Sequence, residues 1–286
     1  MTASARFAQA LSASEWMTAD RHEVRYAVAQ RAVDAIAARL DERLPVHCFG
    51  GAHCSRQPQH LHFTTTVYFD TPSRLQFLAA TASRGPKIKL RVKQYYDVAQ
   101  ASGGAARAEL TALQPGLWLE LKKRESMRTT KQRMRLSKRE LEAVLACASQ
   151  LPDEVALRDA RNLEAIQAYA RSLAEPLRPD GVVNYRRMAW QDSEARVRVT
   201  LDVGVRFFVP PLKLWSEEQP LTPARLGPDV GSLRHAVLEI KYREPPPTWL
   251  ERALTEFGAE RSRSGKFELC SRAVHGDAAA PVVEST

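Results

Sequence analysis

The sequence predicts an α+β protein organised around an antiparallel β-barrel, with charged strand faces lining the lumen and apolar faces packed outward against helices. Three observations lead there. Segments of strict two-residue alternation recur along the whole 286-residue chain. Each pairs an apolar face with a charged one. The chain is also basic, with 42 Lys and Arg against 33 Asp and Glu and a formal net charge of +9. Such strands do not suit a flat sheet over a common core, but they fit a barrel turned inside out.

The clearest segment is 86–96. Ile88, Leu90 and Val92 share one face, and Lys87, Lys89, Arg91 and Lys93 share the other. Four like charges at this spacing repel, so the face needs a compensating anion or open solvent.

In chain order, 1–20 reads as a loosely held leader. Residues 21–28 alternate Glu23 and Arg25 against Val24, Tyr26 and Val28, a first strand. An amphipathic helix over 30–44 carries Val33, Ile36, Ala37 and Leu40 at helical spacing and closes at Pro45. The β-branched run 62–70 is a second strand, followed by a short helix to Ala80. Residues 99–107 form a Gly/Ala/Ser loop. Residues 117–124 align Glu120, Lys122 and Arg124 opposite Leu119 and Leu121, and 127–136 align Lys131, Arg133 and Arg135. Ser137 with Glu140 is a capping box opening a helix to about 148, and a second helix spans 155–174.

The later half repeats the pattern. Strands are expected at 182–190, at 196–203 with Arg196, Arg198, Thr200 and Asp202 on one face, and at 235–243 with Glu239, Lys241 and Arg243 aligned. Residues 207–214 read as a short strand or an extended loop. Pro245-Pro246-Pro247 precedes a helix over 248–257, and 261–267 lead into a last short helix. One folded domain over 21–274 is therefore expected, with a disordered tail over 275–286.

The basic balance points to an acidic partner, whether nucleic acid, anionic lipid or phosphorylated small molecules. No apolar run is long enough to span a membrane and no secretory signal opens the chain, so a cytoplasmic protein is the default. Cys48, Cys54, Cys147 and Cys270 are too scattered for a disulfide framework. The run His47-Cys48 to His53-Cys54, with His60 and His62, lacks the paired halves of a zinc site and reads as a Gly-containing loop. The sequence sets no oligomeric state.

Several fragments together carry a resemblance: Glu23-Val24-Arg25-Tyr26, Val67-Tyr68-Phe69-Asp70-Thr71, Lys89-Leu90-Arg91-Val92-Lys93-Gln94-Tyr95, Leu119-Glu120-Leu121-Lys122-Lys123, Tyr185-Arg186-Arg187-Met188-Ala189-Trp190, Arg198-Val199-Thr200-Leu201-Asp202 and Leu238-Glu239-Ile240-Lys241-Tyr242. In this order and spacing the chain resembles the triphosphate tunnel metalloenzyme (CYTH-like) superfamily, and within it the VTC-type polyphosphate polymerase domain. The resemblance implies an eight-stranded antiparallel tunnel that grips ATP, tripolyphosphate or inorganic polyphosphate. It also implies metal-dependent transfer of the ATP γ-phosphoryl group to polyphosphate, with Mn²⁺ or Mg²⁺ as cofactor. By position it assigns phosphate binding to Arg25, Lys89, Arg91, Lys93, Lys122, Arg187, Arg198, Lys241 and Lys266. Arg91, Lys93 and Arg187 are its catalytic set, and Glu239, Glu120 and Glu23 its metal ligands.

Two positions differ from the family pattern. Arg25 stands where Lys is usual, which keeps the charge and changes donor geometry. Ser264-Gly265-Lys266-Phe267 replaces the usual Ser-Lys-Tyr/Phe. The family's membrane-spanning and SPX companions have no counterpart in these 286 residues. Alternatives within the same chemistry are an inorganic triphosphatase and a non-catalytic polyphosphate-binding protein. A nucleic-acid-binding module is the reading from another class. It fits less well, because the charges recur on single faces of many strands and no RNP-like or helix-turn-helix pattern is present.

Overall fold

The computed structural model describes residues 22–47, 61–82, 85–98, 110–112, 116–125, 128–146, 153–194, 196–215 and 220–277. The leader, the His/Cys loop over 48–60 and the loop over 99–107 lie outside them. Strand β1 (His22–Ala29) passes through one 3₁₀ turn (Gln30–Ala32) into α1 (Val33–Asp41). Then come β2 (His62–Asp70), α2 (Leu75–Thr81), β3 (Lys87–Val98), β4 (Leu110–Ala112), β5 (Leu117–Glu125), β6 (Arg128–Leu136), α3 (Lys138–Leu145) and α4 (Asp153–Arg171). The second half holds β7 (Arg178–Gln191), β8 (Val197–Phe208), α5 (Pro223–Leu226), β9 (Gly231–Ser232), β10 (His235–Tyr242), α6 (Thr248–Glu256), β11 (Glu260–Ser262) and α7 (Lys266–His275).

All strands join one antiparallel sheet in the order β11-β1-β10-β8-β7-β2-β3-β5-β6, with β4 on β3 and β9 on β8. The path holds nine strands, one more than the eight expected, because the three-residue β11 adds to eight long ones. The expected closure does not occur: β11 and β6 are free edges among the described residues. The β6 edge is instead covered by α4, where Asn162 Nδ2 donates to the Arg133 carbonyl at 3.0 Å. Across the gap, Lys122 of β5 lies 3.4 Å from Glu23 of β1. The sheet is thus rolled without being sealed.

The alternation read from sequence decides which side is which. On the convex side, Leu90, Val92, Leu119, Leu121 and Met134 pack under α3 and α4, through Leu141, Val144, Leu163 and Ile166. Val199, Leu201, Leu238 and Ile240 pack under α1 and α6, through Ile36, Leu40, Leu250 and Leu254. Burying these side chains drives the roll, at about 25 cal/mol for each Å² removed from water. The capping box at Ser137 forms as expected: Glu140 N donates to Ser137 Oγ at 3.2 Å, and Ser137 N to Glu140 Oε2 at 2.6 Å.

The final helix departs from the all-outside arrangement. α7 packs on the concave side, where Phe267 and Cys270 meet Tyr68, Val183, Val205 and Phe207. A Cβ at Gly181 would lie 2.6 Å from Cys270 Sγ, so only glycine permits this approach. The C-terminus of α7 is pinned beyond the boundary drawn at 274: His275 Nε2 lies 2.7 Å from Asp180 Oδ1, and Arg74 Nη2 donates to Asp277 Oδ2 at 2.5 Å. Between Asn184 and Arg186 the β7–β8 register shifts by one residue, and Gly204 takes the positive φ of +62° that the bulge demands. Strand β8 ends at Phe208, before Pro210-Pro211, so 209–214 is not strand.

Candidate functional site

The half of the concave face not filled by α7 encloses a cavity of about 400 Å³. Twelve lysines and arginines line it, against three glutamates, Glu23, Glu239 and Glu268. Of the phosphate-binding residues expected from sequence, Arg25, Lys89, Arg91, Lys93, Lys122, Arg187, Lys241 and Lys266 all reach it, from β1, β3, β5, β7, β10 and α7. Arg198 does not. Its register opposite Lys241 and Gln191 puts it toward the His47 and His62 side, where its charge helps hold both imidazoles below their usual range.

Carboxylates hold most of these cations, in four groups. Arg187 donates to both oxygens of Asp202, Nε at 2.5 Å and Nη2 at 2.7 Å, and Lys266 Nζ lies 2.5 Å from the same carboxylate. Burial would raise the Asp202 carboxyl, yet Arg187 and Lys266 hold it at about 2. On β1 and β10, Arg25 bridges Glu23 and Glu239, with Nε 3.0 Å from Glu239, while Lys241 pairs with Glu239. Burial again opposes ionisation, but Lys241 and Arg25 keep Glu239 well below the usual carboxylate range. Lys89 Nζ donates to Glu268 Oε1 at 2.9 Å, from strand to helix.

The fourth group is built on Glu120, one of the metal ligands expected by resemblance. Glu120 is 1% exposed and does not line the cavity. Its register places it directly between Arg91 on β3 and Arg133 on β6. Arg91 Nε donates to it at 2.9 Å, Lys131 Nζ lies at 2.8 Å, and Arg133 Nε lies 3.3 Å away, ion-paired without a hydrogen bond. Arg133 also stacks over Trp118 at 3.5 Å. Both oxygens of Glu120 are ion-paired, as are those of Glu23 and Glu239; Glu120 differs in standing off the cavity lining, among three cations.

Lys93 is unlike its neighbours. It is 7% exposed, faces the cavity, and makes no ion pair or hydrogen bond with any described residue. Its ammonium lies 5.9 Å from the centroid of the Tyr95 ring. Burial, with Arg91, Arg187 and Lys131 around it, pushes its ammonium well below the usual lysine range.

Sequence reading missed Glu268, Arg261, Tyr68 and Tyr185, all of which line the cavity. Tyr68 and Tyr185 stand on inward positions, opposite Arg91 and two residues before Arg187, so the alternation alone could have found them. Arg261 arrives on the three-residue β11 and Glu268 on α7, which only tertiary pairing places here.

As for a metal, no cluster of three or more His, Cys, Asp or Glu that could hold one occurs among the described residues. Glu23 and Glu239 are nonetheless a cavity-facing, ionised pair of oxygen donors on adjacent strands. That fits a hard divalent cation taking its remaining ligands from water and phosphate, as Mg²⁺ does in nucleotide sites.

The family model of the VTC domain matches residues 20–275. No curated protein matches the sequence. Among solved structures, a Hippeastrum protein described as an adenylyl cyclase candidate with a dominant triphosphatase activity is 16% identical, with 88% of this chain and 94% of that chain covered and a TM-score of 0.48. A Bacillus halodurans protein described as an adenylate cyclase candidate is 12% identical, with 86% and 96% covered and a TM-score of 0.44. At these values neither likeness bears on function. With one family model spanning nearly its whole length, the chain belongs to the VTC domain family.

Proposed function

We propose that the protein binds the phosphates of ATP and of inorganic polyphosphate in this cavity, and transfers the γ-phosphoryl group to the polyphosphate end. One observation carries this reading. Lys93 is a buried amine with no carboxylate partner among the described residues, opening into a cavity whose lining is overwhelmingly basic. Charging it there without a partner is costly, and an anion in the cavity would remove the cost.

The chemistry asks little covalent work of the protein. Phosphoryl transfer passes through a loose transition state, with charge spread over the equatorial oxygens, so fixed donors do most of the catalysis. Arg187 and Arg91 suit this task, because Asp202 and Glu120 hold their guanidinium planes before substrate arrives. Lys93 and Lys266 flank Arg187, and Lys89 and Lys122 extend the cationic wall toward β5. Tyr185 lies under both Arg187 and Lys266, 5.2 and 5.1 Å from their charges, and supports them from below. Glu23 and Glu239 are the residues that would hold Mn²⁺ or Mg²⁺. Such an ion would neutralise phosphate charge and orient the terminal group. The chain end of a polyphosphate, already lying along the basic wall, is the acceptor.

Incubation with ATP and Mn²⁺ tests this, with nucleotide, free phosphate and polyphosphate followed together. Polyphosphate growing as ADP appears is the expected result. Free phosphate alone would mean that water is the acceptor and the protein a triphosphatase. Binding without turnover would mean a polyphosphate-binding protein.

A further inference from the structure

We propose that anion binding in this cavity is coupled to uptake of a proton at Lys93, so that the empty protein holds Lys93 neutral and the occupied protein holds it charged. This rests on the phosphate-binding reading above and adds a regulation to it.

The geometry sets up the coupling. Seven of the other eleven cations lining the cavity have a carboxylate at hand: Arg25 and Lys241 share Glu239, Lys89 has Glu268, Arg91 has Glu120, Lys122 has Glu23, and Arg187 and Lys266 share Asp202. Lys93 has none among the described residues. The groups whose charges reach it are Arg91 on its own strand, Glu120 on β5, Lys131 on β6, Arg187 on β7 and His62 on β2. Three of these are cations, and Glu120 is already shared by Arg91, Lys131 and Arg133. Burial and repulsion therefore both favour the neutral amine when the cavity is empty. Phosphates entering beside Lys93 reverse the repulsion, and the ammonium becomes the favoured form.

The other nearby titratable groups stay silent near neutral pH. Burial and the adjacent arginines hold His62 down to about 3. Burial pushes the hydroxyls of Tyr95, Tyr68 and Tyr185 up. Two lysines compete: burial brings Lys131 down to about 8 despite Glu120, but it sits behind that carboxylate and outside the cavity lining, and burial also lowers Lys89, which lines the cavity but is paired with Glu268.

The sign follows from linkage. The bound state holds more protons than the free state, so affinity falls as pH rises between the free and bound values of Lys93. The limit is about tenfold per pH unit for one proton.

The test is calorimetry of metal-free protein at pH 8, in two buffers of different ionisation heat. The probe is trimetaphosphate, whose groups are all strong acids and contribute no proton, with tripolyphosphate as a second probe. Wild type is expected to take up about one proton per anion bound. Lys93→Arg, always charged, is expected to bind and to lack that uptake. Lys93→Met, which removes the titrating group without adding bulk, is expected to lack it too. Binding with no proton uptake in wild type, or the same uptake in either variant, overturns the coupling and leaves the phosphate site intact. No binding of either probe overturns the phosphate-site reading itself.

Discussion

Two walls of the cavity mix carboxylates with cations, and they do so in opposite ways. On the β3–β5–β6 wall a single carboxylate, Glu120, is enclosed by Arg91, Lys131 and Arg133 and is cut off from the cavity. On the β1–β10 wall two carboxylates, Glu23 and Glu239, share Arg25 and face the cavity. Glu120 lets a crowded set of cations coexist in a folded protein. Glu23 and Glu239 are paired with Arg25, Lys122 and Lys241 and still line the cavity. A carboxylate on a charged strand face is therefore enclosed by cations or left facing the cavity according to what its two neighbouring strands place beside it.

The comparison breaks first at Glu120. Glu120→Gln leaves three cations around a neutral amide, and the expected loss is about 3–5 kcal/mol of stability by denaturant unfolding. Tripolyphosphate should restore part of it, because the anion supplies the missing charge. Full stability in the variant would show that Glu120 is not what lets these cations coexist. The opposite pattern is expected of Glu239→Gln. Mn²⁺-dependent turnover of ATP should fall about a hundredfold or more, while tripolyphosphate binding persists without metal, since a negative charge has left the site. Turnover kept at the wild-type level would place the metal elsewhere.

A smaller effect follows from Asp202. Its folded value of about 2 lies below that of an ordinary carboxyl. The stability it contributes is thus present above the ordinary range, near pH 4, and is lost as pH falls toward 2. Asp202→Asn should remove roughly 2 kcal/mol of that contribution, with the difference from wild type shrinking as the pH of the melt is lowered. A difference independent of pH would mean that packing, not charge, holds the residue.

The alternation made much of this arrangement legible. Residues 87–93, 117–124 and 235–241 showed which side chains share a face, and the structure brings those faces to one cavity. Alternation reports the face of a strand and not its neighbours, so Glu120 and Glu239 look alike in sequence. Only register separates them, one flanked by Arg91 and Arg133, the other by Arg25 and Thr200. The open edge, the three-residue β11 and the inward packing of α7 were not legible either. A strand of three residues has no measurable period, and α7 turns inward because Gly181 admits Cys270, a contact across 89 positions of sequence.

The smallest expected effect sharpens the comparison from outside the cavity. Lys123 and Glu125 pair at 3.0 Å on the exposed end of β5, next to the cavity cations but in water. Lys123→Ala should change stability by less than about 0.5 kcal/mol and leave anion binding as it was. A large loss of binding would show that the basic field as a whole, and not the inward set, attracts the ligand.

The most direct test of the central claim, that the cavity is completed by phosphates, is titration of tripolyphosphate into wild-type protein and into Lys93→Ala by calorimetry. The expected result is one anion per chain in wild type, with affinity at least about tenfold weaker in the variant. Equal affinity in the two proteins would contradict it.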